Sequence, residues 1–345
     1  MWMPCLVRSS DEAERPVVRL GHELVDDYLE FVAARARPNT VLAYAFDLKV
    51  FFEVVGKDPT EVTPADVLGF ITAQRSSRSA PNVVRLVDGE SGLSARTIRR
   101  RLSAVSGLYG YLVARGDAGV AENPVPRGLA TRRTRRRAQR GIPLVRTPRT
   151  LPRVLAPDEV NALVGAMRTL RDRAMVEAMV LGGLRRSEVL GLRFEDIRAG
   201  ERRVFVADGK GGHQRLVPVS SRFFVTLAAY LDTERPPEAS PDRVFVVLKG
   251  PNRGRPLSPR GLDEVLRGAR HRAGLTRGTC HELRHTCLTR LREAGMSLEA
   301  IQAQAGHRSI ESTRIYLHLA DGWLADQYRE AQEAIDAQAR VGRPR

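Results

Sequence analysis

Residues 280–316 read CHELRHTCLTRLREAGMSLEAIQAQAGHRSIESTRIY, and this stretch does most to decide the fold. The spacing of its apolar residues predicts helices at about 280–294, 297–305 and 309–317. Its side chains that are able to do chemistry are His281, Glu282, Arg284, His285, His307 and Tyr316. The stretch therefore predicts a helical region that carries imidazoles, a guanidinium and a phenol.

The pentapeptide His281-Glu-Leu-Arg-His285 matches the H-E-x-x-H pattern of zinc peptidases. On a helix the two histidines share a face, and Glu282 becomes a candidate general base. A third ligand has no motif of its own and would have to be sought among Glu293, Glu299 and His307. A buried Arg284 inside the motif would also repel a dication. A zinc hydrolase therefore stays open only as an alternative, and we expect neither a metal nor another cofactor.

Two further motifs precede this stretch. The hexapeptide Gly-Leu-Arg-Arg-Ser-Glu places Arg185 at the start of a predicted helix, with Glu188 one turn later. Such a pair is common on protein surfaces, and it is also how a guanidinium that grips phosphate is oriented. Lys210 lies in the glycine-rich turn between two predicted strands, at 203–207 and 215–219. A lone lysine at a turn is ordinarily solvated, so neither motif decides a function by itself.

Residues 20–115 are predicted to form four amphipathic helices. Thr63-Pro64 and Ser94 are typical helix starts. The apolar residues at helical spacing in the first two helices are Leu24, Tyr28, Phe31, Val32, Val41, Leu42, Phe46, Val50 and Phe51. The fourth helix carries an apolar face and a basic one. That basic face is predicted to lie along DNA phosphates, with a solvated face as the alternative, and consists of Arg96, Arg99, Arg100 and Arg101.

Between Arg127 and Arg153 the composition shifts to arginine without a single acidic residue. Such a block repels itself and cannot bury a core, so it is expected to be extended without a partner. Along a duplex it would release counterions and give strong, salt-sensitive affinity. We therefore predict a DNA-binding linker between two domains, with a merely solubilising linker as the alternative. Its predicted DNA contacts are Arg132, Arg133, Arg135, Arg136 and Arg137.

The composition of the 345-residue chain indicates a polyanionic partner. It contains 56 Lys+Arg against 40 Asp+Glu, a formal net charge of +16, which favours nucleic acid. A bias of the genome towards arginine explains part of the excess. No stretch approaches the length of an apolar membrane span, and the N-terminus lacks a secretory pattern, so we expect a cytoplasmic, nucleoid-associated protein without a membrane partner. The three cysteines suggest neither a disulfide framework nor a zinc site.

Together the motifs resemble the catalytic set of the tyrosine recombinase (phage integrase) family. The matching residues occur in the family's order: Arg185, Lys210, His281-x-x-Arg284, His307 and Tyr316. The surrounding stretches GGLRRSEVLGLRFEDI, DGKGGHQRLVPV, HELRHTCLTRL and AGHRSIESTRIYLHL match as well. The resemblance covers about residues 155–320, and more loosely 20–120. It implies a mainly α fold with a small antiparallel β-sheet, in which a helical core-binding domain and a catalytic domain form a C-shaped clamp on DNA.

The resemblance also implies the roles of these residues. Tyr316 is the nucleophile that attacks a phosphodiester and forms a 3′-phosphotyrosyl link. The phosphate oxygens are bound by Arg185, Arg284 and His307. His281 acts as general acid/base, and Lys210 protonates the departing 5′ oxygen. Two further residues, Glu188 and His285, are expected to contact and orient these side chains without contacting the DNA.

We place the helical core-binding domain at 18–122, the arginine-rich linker at 123–154 and the catalytic domain at 155–337. Only about twenty residues precede the first predicted helix, so we expect no separate arm-binding domain. The partners implied by the resemblance are double-stranded DNA with a specific core site, a homotetramer on two sites, and possible accessory proteins. The function implied is integration, excision or transposition of a mobile element. Alternatives are a non-cleaving DNA-binding protein of the same fold and a relaxing topoisomerase, which shares the chemistry.

Overall fold

The computed structural model describes residues 2–9, 17–75, 92–128, 144–146, 153–207, 214–307, 309–313, 328–329 and 332–333. The chain divides into two compact units between residues 149 and 150. Each unit has its own hydrophobic core. The described chain is mainly helical with small antiparallel sheets, so the predicted fold class is confirmed in these terms.

The first unit is built on the four predicted helices. They are α1 (Glu23–Arg35), α2 (Pro38–Val55), α3 (Pro64–Arg75) and α4 (Ala95–Arg115). Proline stands at the first position of α2 and α3, where a missing backbone N–H costs nothing. Ser94 caps α4, because its hydroxyl accepts a hydrogen bond from the Thr97 backbone N–H at 3.2 Å. Both predicted helix starts are therefore confirmed.

An antiparallel hairpin precedes these helices and was not predicted. It pairs β1 (Val7–Ser9) with β2 (Val17–Arg19). The Asp26 carboxylate of α1 accepts hydrogen bonds from the backbone N–H groups of Leu20, at 2.6 Å, and Gly21, at 3.2 Å. These bonds connect the end of the hairpin to the first turn of α1.

The predicted apolar faces form the core of this unit, with two exceptions. Phe31 and Phe46 have the helical spacing of core residues, yet their exposed fractions are 43% and 49%. Phe31 instead stacks on Tyr111, with ring centroids 5.1 Å apart, and the Arg35 guanidinium lies over its ring. Both phenylalanines therefore lie on helices with the predicted apolar periodicity without belonging to the core.

The second unit surrounds one central helix. Its helices are α5 (Pro157–Gly165), α6 (Leu170–Gly182), α7 (Arg186–Gly191), α8 (Ser221–Thr233), α9 (Pro259–Arg272), α10 (Cys280–Glu293) and α11 (Leu298–Ala305). Ten of the thirteen α6 residues are buried, and α6 packs against α8 and α10. The C-terminal end of α6 therefore lies inside the unit, where it leads directly into α7.

A three-stranded antiparallel sheet has the order β3 (Ile197–Arg198), β4 (Arg203–Val206) and β5 (Arg215–Pro218). The hairpin of β4 and β5 was predicted, whereas β3 was not. Of the helix predicted at 309–317, the structure describes a 3₁₀ turn at Ile310–Ser312. Beyond residue 313 the structure describes 328–329 and 332–333, and these residues are helical. No helix in the described part of the chain has the length and apolar character needed to cross a membrane.

Candidate active site

The turn between α6 and α7 positions Arg185. Gly183 ends α6 with φ 68°, in the left-handed region that favours glycine. A Cβ at this position would lie 3.3 Å from Leu288 Cδ2 of α10, so the turn also packs tightly. Arg185 then occupies the N-cap position of α7, and its backbone N–H donates to Glu188 Oε2 at 2.9 Å. The predicted pairing of Arg185 with Glu188 is thus a capping interaction as well as an ion pair.

Glu188 is the centre of a buried charge network. Its side chain is 1% exposed. Oε1 accepts from Arg185 Nη1 at 2.6 Å and from Arg215 Nη1 at 3.0 Å, while Oε2 accepts from Arg215 Nη2 at 2.9 Å. Burial alone would raise the pKa of Glu188, but the hydrogen bonds and charges of Arg215 and Arg185 lower it to about 2. Glu188 is therefore an anion that fixes two guanidiniums.

The C-terminus of α11 holds three guanidiniums on consecutive carbonyl oxygens. Gln304 O accepts from Arg215 Nε at 3.2 Å, Ala305 O accepts from Arg284 Nη2 at 2.6 Å, and Gly306 O accepts from Arg185 Nη2 at 3.2 Å. Helix carbonyls in the last turn lack intrahelical partners and carry partial negative charge. They therefore attract cations, and here they bring together arginines from α7, β5 and α10.

Arg284 is the most buried of these arginines, at 4% exposed. Its guanidinium also donates to the carbonyl oxygen of Gly183, in the turn that precedes Arg185. Arg284 Nη2 lies 3.3 Å from His307 Nε2. The two predicted phosphate-binding arginines are thus connected through the same backbone segments, at residues 183–185 and 305–306.

His307 follows α11 directly, after Gly306 has ended the helix with φ 60°. Its Nδ1 lies 3.0 Å from the Thr313 hydroxyl. Burial, followed by the charges of Arg284 and Arg185, lowers the pKa of His307 to about 4. Because Arg284 only donates, Nε2 of a neutral His307 accepts from it and the ring proton resides on Nδ1.

The start of α10 carries the two other predicted histidines. His281 Nε2 and His285 Nε2 lie 2.9 Å apart. Burial, with the charges of His281 and Arg284, lowers the pKa of His285 to about 4. Between them, Glu282 accepts hydrogen bonds from the backbone N–H groups of Gly278, at 3.0 Å, and Thr279, at 2.9 Å. Glu282 is thus engaged in a capping box at the start of the helix.

The structure therefore brings Arg185, Glu188, Arg284 and His307 into one network, and it places His281 and His285 together on α10. Lys210 and Tyr316 lie outside the described residues, as do the predicted DNA contacts Arg132, Arg133, Arg135, Arg136 and Arg137. On α4, Arg96, Arg99 and Arg100 are exposed. Arg100 donates to the buried Asp47 carboxylate at 2.6 Å, so it forms an ion pair within the first unit.

This arrangement can bind and polarise an anion. Two arginines that stay protonated are fixed by Glu188 and by backbone carbonyls, next to a neutral imidazole. Arg185, whose side chain is 20% exposed, uses two of its five donors on Glu188 and Gly306 within the described chain. A tetrahedral phosphate would accept from such donors in preorganised geometry.

Comparison with known proteins agrees with this chemistry. Residues 153–322 match the Phage integrase family, and residues 25–116 match the phage integrase N-terminal SAM-like domain. The tyrosine recombinase XerD of Mycobacterium tuberculosis is 34% identical over 292 residues, which cover 81% of this chain and 86% of that protein. The chain belongs to the phage integrase family of tyrosine recombinases.

Other tyrosine recombinases are similar over nearly the whole chain. XerD of Listeria monocytogenes is 27% identical over 327 residues, 90% of this chain and 98% of that protein. Among solved structures, the XerH recombinase bound to palindromic difH in a post-cleavage complex has a TM-score of 0.62 at 21% identity, over 89% of this chain and 84% of that one. A lambda integrase dimer bound to a COC′ core site has a TM-score of 0.59 at 19% identity, over 83% and 94%. At these identities the solved structures support the fold.

For this tyrosine recombinase the zinc-hydrolase alternative is not favoured. The family accounts for the HELRH stretch, and Glu282 has a structural task at the start of α10. The residue that the sequence did not reveal is Arg215. Its signal in the sequence is its place within DGKGGHQRLVPV, where it is the first residue of a predicted strand that follows the predicted turn with Lys210.

Proposed function

We propose that this chain is a site-specific DNA recombinase, which cleaves and rejoins DNA through a 3′-phosphotyrosyl intermediate with Tyr316 as nucleophile. The observation that supports this most is the network in which Glu188 and the end of α11 hold Arg185 and Arg284 beside His307. Such a network suits a phosphodiester, whose negative charge otherwise repels a nucleophile. We further propose that it acts in the integration, excision or transposition of a mobile element.

In the proposed mechanism Arg185 and Arg284 bind the non-bridging oxygens of the scissile phosphate. Attack by the Tyr316 oxygen forms the O–P bond and breaks the bond from phosphorus to the 5′ oxygen. The additional charge of the transition state falls on the oxygens that the two guanidiniums bind, which lowers the barrier. The phosphotyrosyl link conserves the energy of the broken bond, so a 5′ hydroxyl from another strand can attack it and reseal the DNA without ATP.

Two protons move in this step. A tyrosine has an ordinary pKa near 10, so its proton must pass to a base, and His281 is the proposed acceptor. Lys210 is the proposed acid that protonates the departing 5′ oxygen. Since the two arginines supply the charge, His281 accepts one proton and Lys210 donates the other, the proposed mechanism uses no metal ion.

The state of His307 fits a role that begins when DNA binds. In the structure its Nε2 faces the Arg284 guanidinium, and Nδ1 faces the Thr313 hydroxyl. A phosphate that takes over the Arg284 donor would leave Nε2 facing a negative charge. The hydroxyl of Thr313 can donate as well as accept, so the proton of His307 can reside on Nε2 and be donated to a phosphate oxygen.

The proposed partners follow from the same function. They are double-stranded DNA with a specific core site, further copies of this chain in a homotetramer on two such sites, and accessory proteins. DNA would be contacted by the basic face of α4 and by the arginine-rich segment. The proposed domain limits are 18–122, 123–154 and 155–337, and a nucleoid location follows from the proposed substrate.

A trapping assay tests the proposal. Purified protein is mixed, in the presence of a chelator, with nicked duplexes tiled from the DNA that flanks its own gene. We expect a denaturant-resistant protein–DNA adduct on one duplex, resolved by its slower migration. Tyr316→Phe should form none, because it lacks the attacking oxygen. Tyr328→Phe is the matched control, since Tyr328 is 68% exposed and has no proposed role, and it should form the adduct at the native rate.

Each other outcome has a definite reading. Tight binding without any adduct would overturn the cleavage proposal in favour of a non-cleaving DNA-binding protein. An adduct that persists in Tyr316→Phe would exclude Tyr316 as the nucleophile. An adduct on one duplex, together with relaxation of a supercoiled plasmid that carries the same sequence but without joining of two sites, would favour a relaxing topoisomerase.

A further inference from the structure

Arg215 is the third arginine of the network around Glu188 and was not among the predicted phosphate-binding residues. Its side chain is 11% exposed. Nη1 and Nη2 donate to the two oxygens of Glu188, at 3.0 and 2.9 Å, and Nε donates to the Gln304 carbonyl at 3.2 Å. The bidentate geometry on a carboxylate fixes both groups in orientation. The hydrogen bonds of Arg215 therefore hold its guanidinium on Glu188 and on the C-terminus of α11.

These contacts of Arg215 determine the balance of charge between Glu188 and its two arginine partners. Glu188 is buried and contacts Arg185 and Arg215. If Arg185 were its sole cationic partner, the anion would draw that guanidinium inward and cancel its charge. Because the Arg215 guanidinium contacts both oxygens of Glu188, it neutralises the charge of this carboxylate. The Arg185 guanidinium shares only one of the two oxygens. Arg185 then keeps charge and donors for another anion.

We propose that Arg215 is a positioning residue for strand cleavage, which neutralises Glu188 and so leaves the Arg185 guanidinium oriented and charged for the scissile phosphate. The inference rests on the proposed recombinase function and adds a residue outside the set expected from the sequence. Arg215 acts through Glu188 and α11, and it does not touch the substrate.

The place of Arg215 in the fold gives this role a further consequence. It is the first residue of β5 and pairs with Val206 of β4. In the sequence, Lys210 lies between these two strands. The strand that follows the proposed acid along the chain therefore also provides a partner for the anion that orients Arg185.

Single-turnover cleavage separates positioning from binding. The protein, in excess, is mixed with the nicked duplex identified by trapping, and both the rate of adduct formation and the Kd for DNA are measured. Arg215→Met should slow adduct formation by ~100-fold while the Kd changes less than about 3-fold, because the lost interaction acts on the transition state. Arg215→Lys keeps the charge but cannot reproduce the bidentate contact, so we expect a loss of ~10-fold.

Charge balance is tested by a double substitution. Glu188→Gln removes the anion that Arg215 neutralises. Combined with Arg215→Met it should restore adduct formation by ~10-fold over Arg215→Met alone, since Arg185 is then no longer drawn to an unbalanced carboxylate. A merely structural role of Arg215 would make the two losses multiply instead.

Arg171→Met is the matched control. Arg171 is likewise buried, binds the Asp172 carboxylate through Nε and Nη2, and donates to the Val246 carbonyl at 2.9 Å. It lies in the first turn of α6, at the opposite end from Gly183. It should lower thermal stability as Arg215→Met does, yet leave the rate per folded molecule unchanged.

The outcomes are distinguishable. Cleavage by Arg215→Met or Arg215→Lys at the native rate, or multiplicative losses in the double variant, would overturn the role of Arg215 while the recombinase function stands. If Arg215→Met does not fold, the rate of adduct formation and the Kd of Arg215→Lys decide the matter. No adduct with the unsubstituted protein would overturn the recombinase function, and this inference with it.

Discussion

At Glu188, burial and ion pairing act on one carboxylate in opposite directions. Burial raises its pKa, while Arg215 and Arg185 lower it, and the result of about 2 lies below the ordinary 4.5. The folded protein therefore binds a proton at Glu188 less readily than the unfolded chain does. By linkage, the ionised carboxylate stabilises the fold at any pH above its unfolded pKa. This stabilisation is lost as the pH falls through the range from 4.5 towards 2.

This linkage predicts how Glu188→Gln depends on pH. Near neutral pH the variant should unfold with a free energy about 3 kcal/mol lower than the native protein, because a shift of this size corresponds to about 1.4 kcal/mol per pKa unit. The difference should shrink as the pH is lowered from about 5 to about 3. Urea unfolding at a series of pH values measures it.

Glu195→Gln is the matched control for this series. Glu195 is 72% exposed and meets Arg193 at 3.4 Å, so its substitution should change the free energy of unfolding by less than about 0.5 kcal/mol. A Glu188→Gln difference that is independent of pH would contradict the assignment of Glu188 as a buried anion.

At the residue level the sequence predicted the pairs that are close along the chain. Arg185 with Glu188, and His281 with His285, follow from helix spacing alone. The contacts of Arg215 with Glu188 and Gln304 join β5, α7 and α11, and no periodicity encodes them. In a chain with 56 basic residues, composition did not distinguish this arginine from its exposed counterparts.

Among the elements, the C-terminus of α11 has the most direct link to the site. Gly306 ends it with φ 60° and presents its carbonyl to Arg185. A Cβ at Gly306 would lie 3.0 Å from the Arg215 guanidinium atoms Cζ, Nε and Nη1. That guanidinium is held on Glu188, so it is not able to move away without breaking the network.

Gly306→Ala should therefore lose both stability and activity. The left-handed backbone costs an alanine about 1–2 kcal/mol, and the displaced Arg215 should slow adduct formation by roughly 10-fold or more. Thermal unfolding and single-turnover cleavage measure the two effects. Gly274→Ala is the control, because Gly274 has φ 66° and nothing lies within 4 Å of an added Cβ. It should lose stability alone; equal cleavage by both variants would exclude the proposed displacement.

The sequence predicted long elements better than short ones. Four helices in the first unit and most of those in the second have apolar periodicity, and several of them begin at a proline or a capping side chain. Both are local signals. The strands β1, β2 and β3 have only two or three residues each, too few for alternation to be recognised. The exposure of Phe31 and Phe46 could not be predicted, because periodicity identifies a face, whereas exposure depends on which element covers that face.

At the scale of the whole molecule, charge is the dominant property. Many surface arginines of the second unit are paired with glutamates, so their contribution to a long-range field is reduced. The arginine-rich segment contains no acidic residue to pair with. The excess of +16 is therefore expected to act on DNA mainly through that segment and through the basic face of α4.

Salt dependence tests this distribution. Affinity for DNA falls with salt in proportion to the phosphates neutralised, by about 0.9 per contact in a log–log plot. Replacing five arginines of the segment by glutamine should reduce the magnitude of that slope by about 4.5 if each contacts a phosphate, while the cleavage rate at saturating protein stays unchanged. Fluorescence anisotropy at several salt concentrations measures the slope. The residues to replace are Arg132, Arg133, Arg135, Arg136 and Arg137.

A variant with the same net charge provides the control. Five described arginines each meet a glutamate carboxylate on the surface, and these are Arg193, Arg198, Arg203, Arg253 and Arg267. Replacing them by glutamine also removes five positive charges. Four glutamates already offset most of their field, because Arg198 and Arg203 share Glu201, so the slope should change by less than about 1. Equal changes in both variants would mean that net charge alone governs affinity. A change confined to the first variant would assign the phosphate contacts to the arginine-rich segment.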